Sequence, residues 1–276
     1  MIERALLEKT AIYLVLIILA IIFTIPVFWM FSSSFKSLEN TLTVSIKWLP
    51  EKLHFENYTE IWGAEQFKTY FLNSLVVAIT VTFATIFLAS LTGYGLSKFD
   101  FPGRQVIFLF ILSTMMVPFQ VIVIPLYIIV RYFGWIDTYQ GLIIPGALTG
   151  FGVFFMKQYI QTISNEFIDV ARIDGCSEFG IFWRIILPLS KPALAALGIL
   201  TFLGSWNNLL WPLIVIQSEG LKTLPLGLAK IMQSEYGVRY NVLMSGAAIA
   251  SAPMIIAFLI FQRRITKGIT LGGLKG

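Results

Sequence analysis

Four charged side chains, Asp169, Arg172, Asp174 and Glu178, stand close together in the one long helix-patterned polar segment between two strongly apolar blocks, Asn165 to Pro192. Their surroundings do not make a reaction centre. The chain has one histidine, His54, and one cysteine, Cys176, so it offers no His/Cys metal spacing, no nucleophile–histidine pair and no internal disulfide. It also lacks a phosphate-cradling loop of the form G-x-x-x-x-G-K-[ST], and so has no ATP-hydrolysing site of its own. Docking is the chemistry this segment supports. Its first half places Phe167, Val170 and Ala171 on one helix face, with Asp169 and Arg172 on the other. Gly175 interrupts, and Ser177 can cap a second helix with an apolar stripe at Phe179, Phe182, Trp183 and Ile186. Pro188 and Pro192 are expected to end that stripe, because proline removes a helix donor and clashes with the preceding turn. The result is two short amphipathic helices joined at a glycine elbow.

The elements that position this knob are set by composition. Of 276 residues, 57% are hydrophobic and 13% charged, with mean hydropathy +0.80. Soluble domains carry about 25% charged residues, so the natural solvent of this chain is a bilayer. The formal charge of +5 does not point to nucleic acid, because in a membrane protein the side of each charge matters more than the sum. Ala11 to Phe31 is long enough to cross a hydrocarbon core about 30 Å thick and too long for a cleaved signal, so it is read as a retained span with a kink at Pro26. Ser32 to Thr69 is polar, with Trp48 and Tyr58 to Trp62 having the character of membrane-interface residues. Five further apolar blocks follow: Tyr70 to Leu96, Gln105 to Val130, Gly141 to Tyr159, Ala193 to Ile216 and Val242 to Phe261. Pro118 and Pro125 interrupt the third, as packing kinks or as a gate hinge, and Gly146 with Gly150 in the fourth forms a GxxxG suited to close helix approach.

Six spans place both termini on one side. That side carries twelve Lys and Arg residues and the other carries eight, which by the positive-inside rule puts the termini, and the 165–192 knob, in the cytoplasm. There an amphipathic pair can lie on the membrane surface as a structural element. The mixed signs of Asp169, Arg172, Asp174 and Glu178 suit anionic lipid poorly and favour a protein groove.

Read from Asp169, the segment is D-V-A-R-I-D-G, then nine residues from Cys176 to Arg184, then Ile185-Ile186-Leu187-Pro188. This resembles the "EAA" loop of ATP-binding-cassette importer permeases, E-A-A-three-G-nine-I-x-L-P, with Asp169 where Glu is usual and Val170 where Ala is usual. Ser205-Trp206-Asn207-Asn208-Leu-Leu-Trp211-Pro212 is similar to the W-N-D/N segment of maltose-type carbohydrate permeases. Gly272-Gly273-Leu274-Lys275-Gly276 looks like the G-x-V-K-G terminus of that class, and the Lys98–Arg104 turn agrees as well. The resemblance covers nearly the whole chain. It implies an all-α, six-helix type I importer fold, with residues 1–10 and 263–276 cytoplasmic around a permease domain at 11–262. It also implies two ATPase subunits that hold ATP and Mg, a second permease and an extracytoplasmic binding protein, in a bacterial or archaeal inner membrane. Asp169, Val170, Ala171, Arg172, Asp174, Gly175, Phe179, Phe182 and Pro188 would then form the ATPase-coupling surface. Phe179 and Phe182 would be its anchors, and Asp169 and Arg172 rim pairs setting register. Leu274, Lys275 and Gly276 would reach the ATPases, beyond an Arg263, Arg264 and Lys267 anchor.

Asn207 and Asn208 are polar groups inside the fifth span, where an unsatisfied amide is costly. Either they hydrogen-bond between helices, or one lines the translocation path facing Asn73 or Gln120. The expected function is sugar or oligosaccharide import. A permease for another solute, such as glycerol phosphate or a polyamine, and a membrane enzyme or receptor are the rivals.

Overall fold

The computed structural model describes residues 2–41, 46–232 and 239–273. Among them the chain is helical, with no strand. Ile2–Ser34 (α1) passes through Pro26 as one helix, and the apolar side chains from Ile12 to Phe28 are largely exposed, as lipid-facing residues would be. Leu38–Thr41 (α2) and Glu56–Gly63 (α3) follow, then Glu65–Lys98 (α4). Arg104–Met115 (α5) and Phe119–Tyr132 (α6) meet at 105° across a break ending in Pro118, whereas Pro125 lies within α6. Tyr139–Ile143 (α7), its continuation to Gly146, and Gly150–Gln161 (α8) are bent by 42°. Glu166–Ile173 (α9) opens the loop. Glu178–Ile181 (α10), a π-helical turn Phe182–Ile186 and Leu187–Leu189 (α11) continue into Lys191–Trp206 (α12) at 78°. Leu210–Val215 (α13), Leu224–Ile231 (α14) and Tyr240–Gly273 (α15) complete the order. Counting each bent pair as one span gives the six expected from the apolar blocks.

Two expectations need correction. The fifth block is not one helix, because it is interrupted at Asn207–Leu209 between α12 and α13. Gly146 and Gly150 do not share a helix face, because the backbone breaks between them. Gly150 alone makes a close approach. A Cβ there would stand 2.7 Å from Thr114 Oγ1, so side-chain atoms on it would collide with α5.

Contacts divide the chain into two compact units, Met1–Lys68 with Leu228–Ala252, and Thr69–Gly227 with Pro253–Gly276. The first is held by a buried amide knot. Asn57 Nδ2 donates to the Ser34 and Lys36 carbonyls at 2.9 Å each, satisfying acceptors that the end of α1 leaves free. Asn241 Nδ2 donates to Asn57 Oδ1 at 2.7 Å, and Ser245 Oγ to Ser34 O at 3.1 Å. Lys36 is 1% exposed, with its ammonium 3.8 Å over the Trp29 ring, and burial pushes it below the usual lysine range.

The second unit has two cores. One gathers Met156, Ile160, Ile168, Ile181, Phe182, Ile186 and Leu197, joining α4, α8 and α12 to the 165–192 loop. The other gathers Val77, Val81, Val130, Leu142, Trp211 and Val215. Two polar clamps flank the latter. Asp137, at φ +56°, accepts from Gln217 N (3.0 Å), Ser218 N (2.9 Å) and Ser218 Oγ (3.0 Å). The Ser218 backbone bond leads in holding its carboxyl below the usual range. Asn73 is 4% exposed; its Nδ2 donates to Gly220 O and Lys222 O at 2.9 Å each, and its Oδ1 accepts from Tyr139 OH at 2.6 Å. Asn73 therefore does not line a path. Its amide is consumed fastening the 219–222 segment to α4. Asn73→Ala would strand two carbonyls and a hydroxyl, costing about 2–3 kcal/mol. The expected readout is a lower unfolding midpoint in detergent, with uptake per folded molecule retained; an intact midpoint with lost uptake would restore Asn73 to the path.

Candidate functional site

The elbow of the 165–192 loop is a closed helix terminus. Gly175 has φ +79°, its N–H donates to Arg172 O at 3.0 Å, and Cys176 N–H donates to Ala171 O at 2.9 Å. These are the two bonds of a Schellman motif, whose left-handed residue is glycine for conformational reasons. Ser177 then caps the next helix as expected, its Oγ accepting from Gly180 N at 3.2 Å. The chain stays helical through Pro188 to Leu189 and bends at Ser190, so Pro188 does not end the segment. Pro192 sits in the first turn of α12, where its missing donor has no partner to lose.

Burial redraws the two faces. Ala171 and Ile168 face the core, while Phe167, Val170 and Ile173 are exposed, Ile173 by 85%. Phe167 and Val170 are thus not on the face of Ala171. The exposed apolar residues recur every three positions, so α9 carries apolar side chains on two sides and Ala171 belongs to the inner one. In the second half Phe179 and Trp183 are exposed, but Phe182 is 1% exposed and packs against Tyr94 with ring centroids 5.8 Å apart. Phe182 anchors the loop to its own chain, not to a partner. The π-helical turn sets this register, with Phe182 and Ile186 inward.

Arg172 is exposed, yet it is paired within its own chain. Its Nε donates to Glu178 Oε1 at 2.7 Å, with Asp169 a longer 3.5 Å from the same guanidinium. Glu178 Oε2 accepts from Tyr94 OH at 2.8 Å, and Tyr94 is buried on α4. Arg172 therefore keeps its exposed pair with Asp169 and is also a strut, bridging both loop helices and, through Glu178, the long helix behind them. Lys98, four residues after Tyr94, donates to Asn165 Oδ1 at 2.8 Å and to the Ile163 carbonyl, so α4 also grips the start of α9. Asp169 and Asp174 stay exposed beside the apolar stripe. Motif reasoning misses Tyr94, and it reads Glu178 only as one of the four mixed-sign charges. A tyrosine between Gly93 and Gly95 in an apolar helix was the available signal for the former.

A second site lies among the spans. A cavity of about 330 Å³ is lined by Phe119, Phe151 and Trp211, and by Thr149, Thr201, Ser205 and Asn208, with aliphatic residues completing the wall and no charged residue among them. Asn208 belongs to this site; its Oδ1 accepts from Trp211 N at 3.2 Å. Asn207 does not line it, being exposed and donating to Leu203 O (3.0 Å) and Met254 Sδ (3.1 Å), the helix-bonding alternative. Gln120 is exposed at the start of α6 and does not line it either. Leu274, Lys275 and Gly276 lie outside the described residues.

Comparison with known proteins agrees with this architecture. The chain is 41% identical over 271 residues to the arabinooligosaccharides transport system permease protein AraQ of Bacillus subtilis (strain 168), covering 97% of this chain and 96% of that protein. It is 31% identical over 277 residues to the sn-glycerol-3-phosphate transport system permease protein UgpE of Brucella abortus (strain 2308), covering 98% of each. In fold it matches the crystal structure of a bacterial ABC transporter involved in the import of the acidic polysaccharide alginate. The TM-score is 0.85 at 24% identity, over 93% of this chain and 96% of the other. The profile of one family matches residues 85–271, from the middle of α4 through the loop and the cavity wall to the end of α15. The chain belongs to the family of binding-protein-dependent transport system inner membrane components.

Proposed function

We propose that this chain is the membrane subunit of an ATP-driven importer of sugars or oligosaccharides, driven through the 165–192 loop by separate ATPase subunits. The observation that carries the docking reading is the exposed stripe Phe167, Val170 and Ile173, with Phe179 beyond the elbow, on a loop otherwise fastened to its own core. A partner groove would bury these apolar side chains, with Asp169 and Asp174 at the rim. A loop that docks on a cytoplasmic ATPase would put both termini on the cytoplasmic side too, the side that the basic excess favours. Two ATPases, a second permease and an external binding protein complete the assembly.

The solute class is supported by the curated relatives and by the cavity. AraQ is named for arabinooligosaccharides and UgpE for glycerol phosphate. A cavity without a charged wall suits a neutral solute, since a phosphate or a polyamine would be desolvated there without a counter-charge. The test is co-expression with a cognate ATPase, second permease and binding protein. A P-loop ATPase should co-purify, and proteoliposomes should take up a neutral oligosaccharide only with ATP and binding protein present. Uptake of glycerol 3-phosphate in preference to sugar would reverse the solute reading. We further expect that deleting Leu274 to Gly276 lowers uptake per ATP hydrolysed without lowering membrane insertion. An unchanged ratio would leave the tail as an anchor only.

A further inference from the structure

Three interruptions of helical backbone converge on the same cavity. Phe119 opens α6 directly after the break that ends in Pro118, Thr149 caps α8 after the second break, and Asn208 sits inside the third. Non-helical backbone at membrane depth is tolerated where it is buried in protein or lines a water-filled space, because lipid offers its N–H and C=O groups no partner. A wholly apolar role for this cavity is therefore disfavoured.

Side-chain chemistry points the same way. Thr201, Ser205 and Asn208 follow one another at spacings of four and three, which puts them on one side of α12 and its end. The Thr201 and Ser205 hydroxyls and the Asn208 Nδ2 have no hydrogen-bond partner among the described residues, whereas the Asn208 Oδ1 is used by Trp211 N. The same cavity is lined by aromatic rings: Phe119 lies edge-on to Trp211 at 6.2 Å, and Trp211 spends its Nε1–H on Gly141 O at 2.8 Å, leaving its ring surface to the cavity. Neutral donors and acceptors together with aromatic surface, and no charge, are complementary to a carbohydrate ring. The hydroxyls meet the polar groups and the C–H face meets the rings. At about 330 Å³ the cavity is at the small end of ligand sites, roughly 300–1,000 Å³, which suits one sugar unit better than a long chain.

We infer that this cavity is a sugar subsite carried by this subunit, holding one ring of a neutral carbohydrate during passage through the polar groups of Thr201, Ser205 and Asn208 and the rings of Phe119, Phe151 and Trp211. This rests on the sugar reading proposed above. The test uses the complete complex in proteoliposomes, with radiolabelled arabinotriose, maltotriose and glycerol 3-phosphate as probes. A photoreactive benzoylphenylalanine in place of Phe151 should capture labelled sugar during turnover. Thr201→Val, which removes a hydroxyl at constant volume, should reduce both capture and uptake by about fivefold, the effect of one hydrogen bond. Capture of only the second permease or lipid would show the cavity to be a covered interface and would overturn the inference. Sugar uptake at wild-type rate in Thr201→Val, with no sugar captured, would overturn it while leaving the sugar reading intact. A complex that moves glycerol 3-phosphate and neither sugar would overturn both.

Discussion

Gly175→Asp is expected to leave the chain folded and inserted while uptake falls to background and ATPase association loosens. The residue sits at φ +79° with no heavy atom within 4 Å of a Cβ built there, so the barrier is conformational, not steric. A left-handed L-residue costs about 1–2 kcal/mol, and Asp is among the residues that suffer it least. That is too little to unfold the protein, but relaxing the elbow gives up the Gly175–Arg172 and Cys176–Ala171 bonds that fix the angle between the two loop helices. The new carboxylate would also lie at a helix C-terminus beside Asp174, where negative charge is unfavourable. Gly175→Val should be harsher still, since a β-branched residue at positive φ is an outlier. Unfolding midpoint, co-purified ATPase and uptake are the three measurements. Full uptake in Gly175→Val would refute a geometric role for the elbow.

Tyr94→Phe and Glu178→Gln are expected to uncouple the transporter without dismantling it. Tyr94→Phe keeps the ring against Phe182 and Phe99 and removes only the hydroxyl that reaches Glu178. Glu178→Gln keeps the shape and removes the charge that holds Arg172. Arg172 and Glu178 side chains are 40% and 42% exposed, so solvent screening reduces the ion pair to about 1 kcal/mol. The buried Tyr94 bond to a carboxylate is worth about 1.5–3 kcal/mol. Losing it loosens the link between Glu178 and α4 while the Phe182 packing and the Lys98 bonds remain, so ATP hydrolysis then moves a knob that pulls the long helix less directly. The ratio of solute taken up to ATP hydrolysed should fall about tenfold in Tyr94→Phe, with assembly intact. A ratio equal to wild type would mean that the strut supports the loop but does not transmit its movement.

The loop shows how far pattern reading reaches. Gly175 and Ser177 were legible because a left-handed turn and a helix cap are local demands, met within five residues of chain. The direction of Phe182, Phe167 and Val170 was not. An amphipathic stripe states that a face is apolar without stating which apolar surface covers it, and α9 has two apolar sides. One is taken by the chain's own core and the other is left exposed. The π-helical turn at Phe182–Ile186 compounds this, since it shifts the register that a period of 3.6 assumes.

Within the membrane the same division holds. Composition and block length determined an all-helical, six-span chain, because only helices satisfy their backbone in lipid within one segment. Basic-residue placement supports an expected orientation, and motif spacing pointed to the family that the chain belongs to. Tertiary structure decided which polar residues are free. Asn73 and Asn208 look equivalent in sequence, yet Asn73 is fully bonded, to Tyr139 and to a loop almost 150 residues away, and Asn208 opens its amide to a cavity. Arg172 is a surface charge, yet it also ties the two loop helices together. Hydropathy and spacing are properties of neighbours along the chain, whereas hydrogen-bond satisfaction depends on partners that only folding brings within 3 Å. That is why the sequence alone determined what kind of molecule this is, and the tertiary structure alone decided which of its polar residues remain available for work.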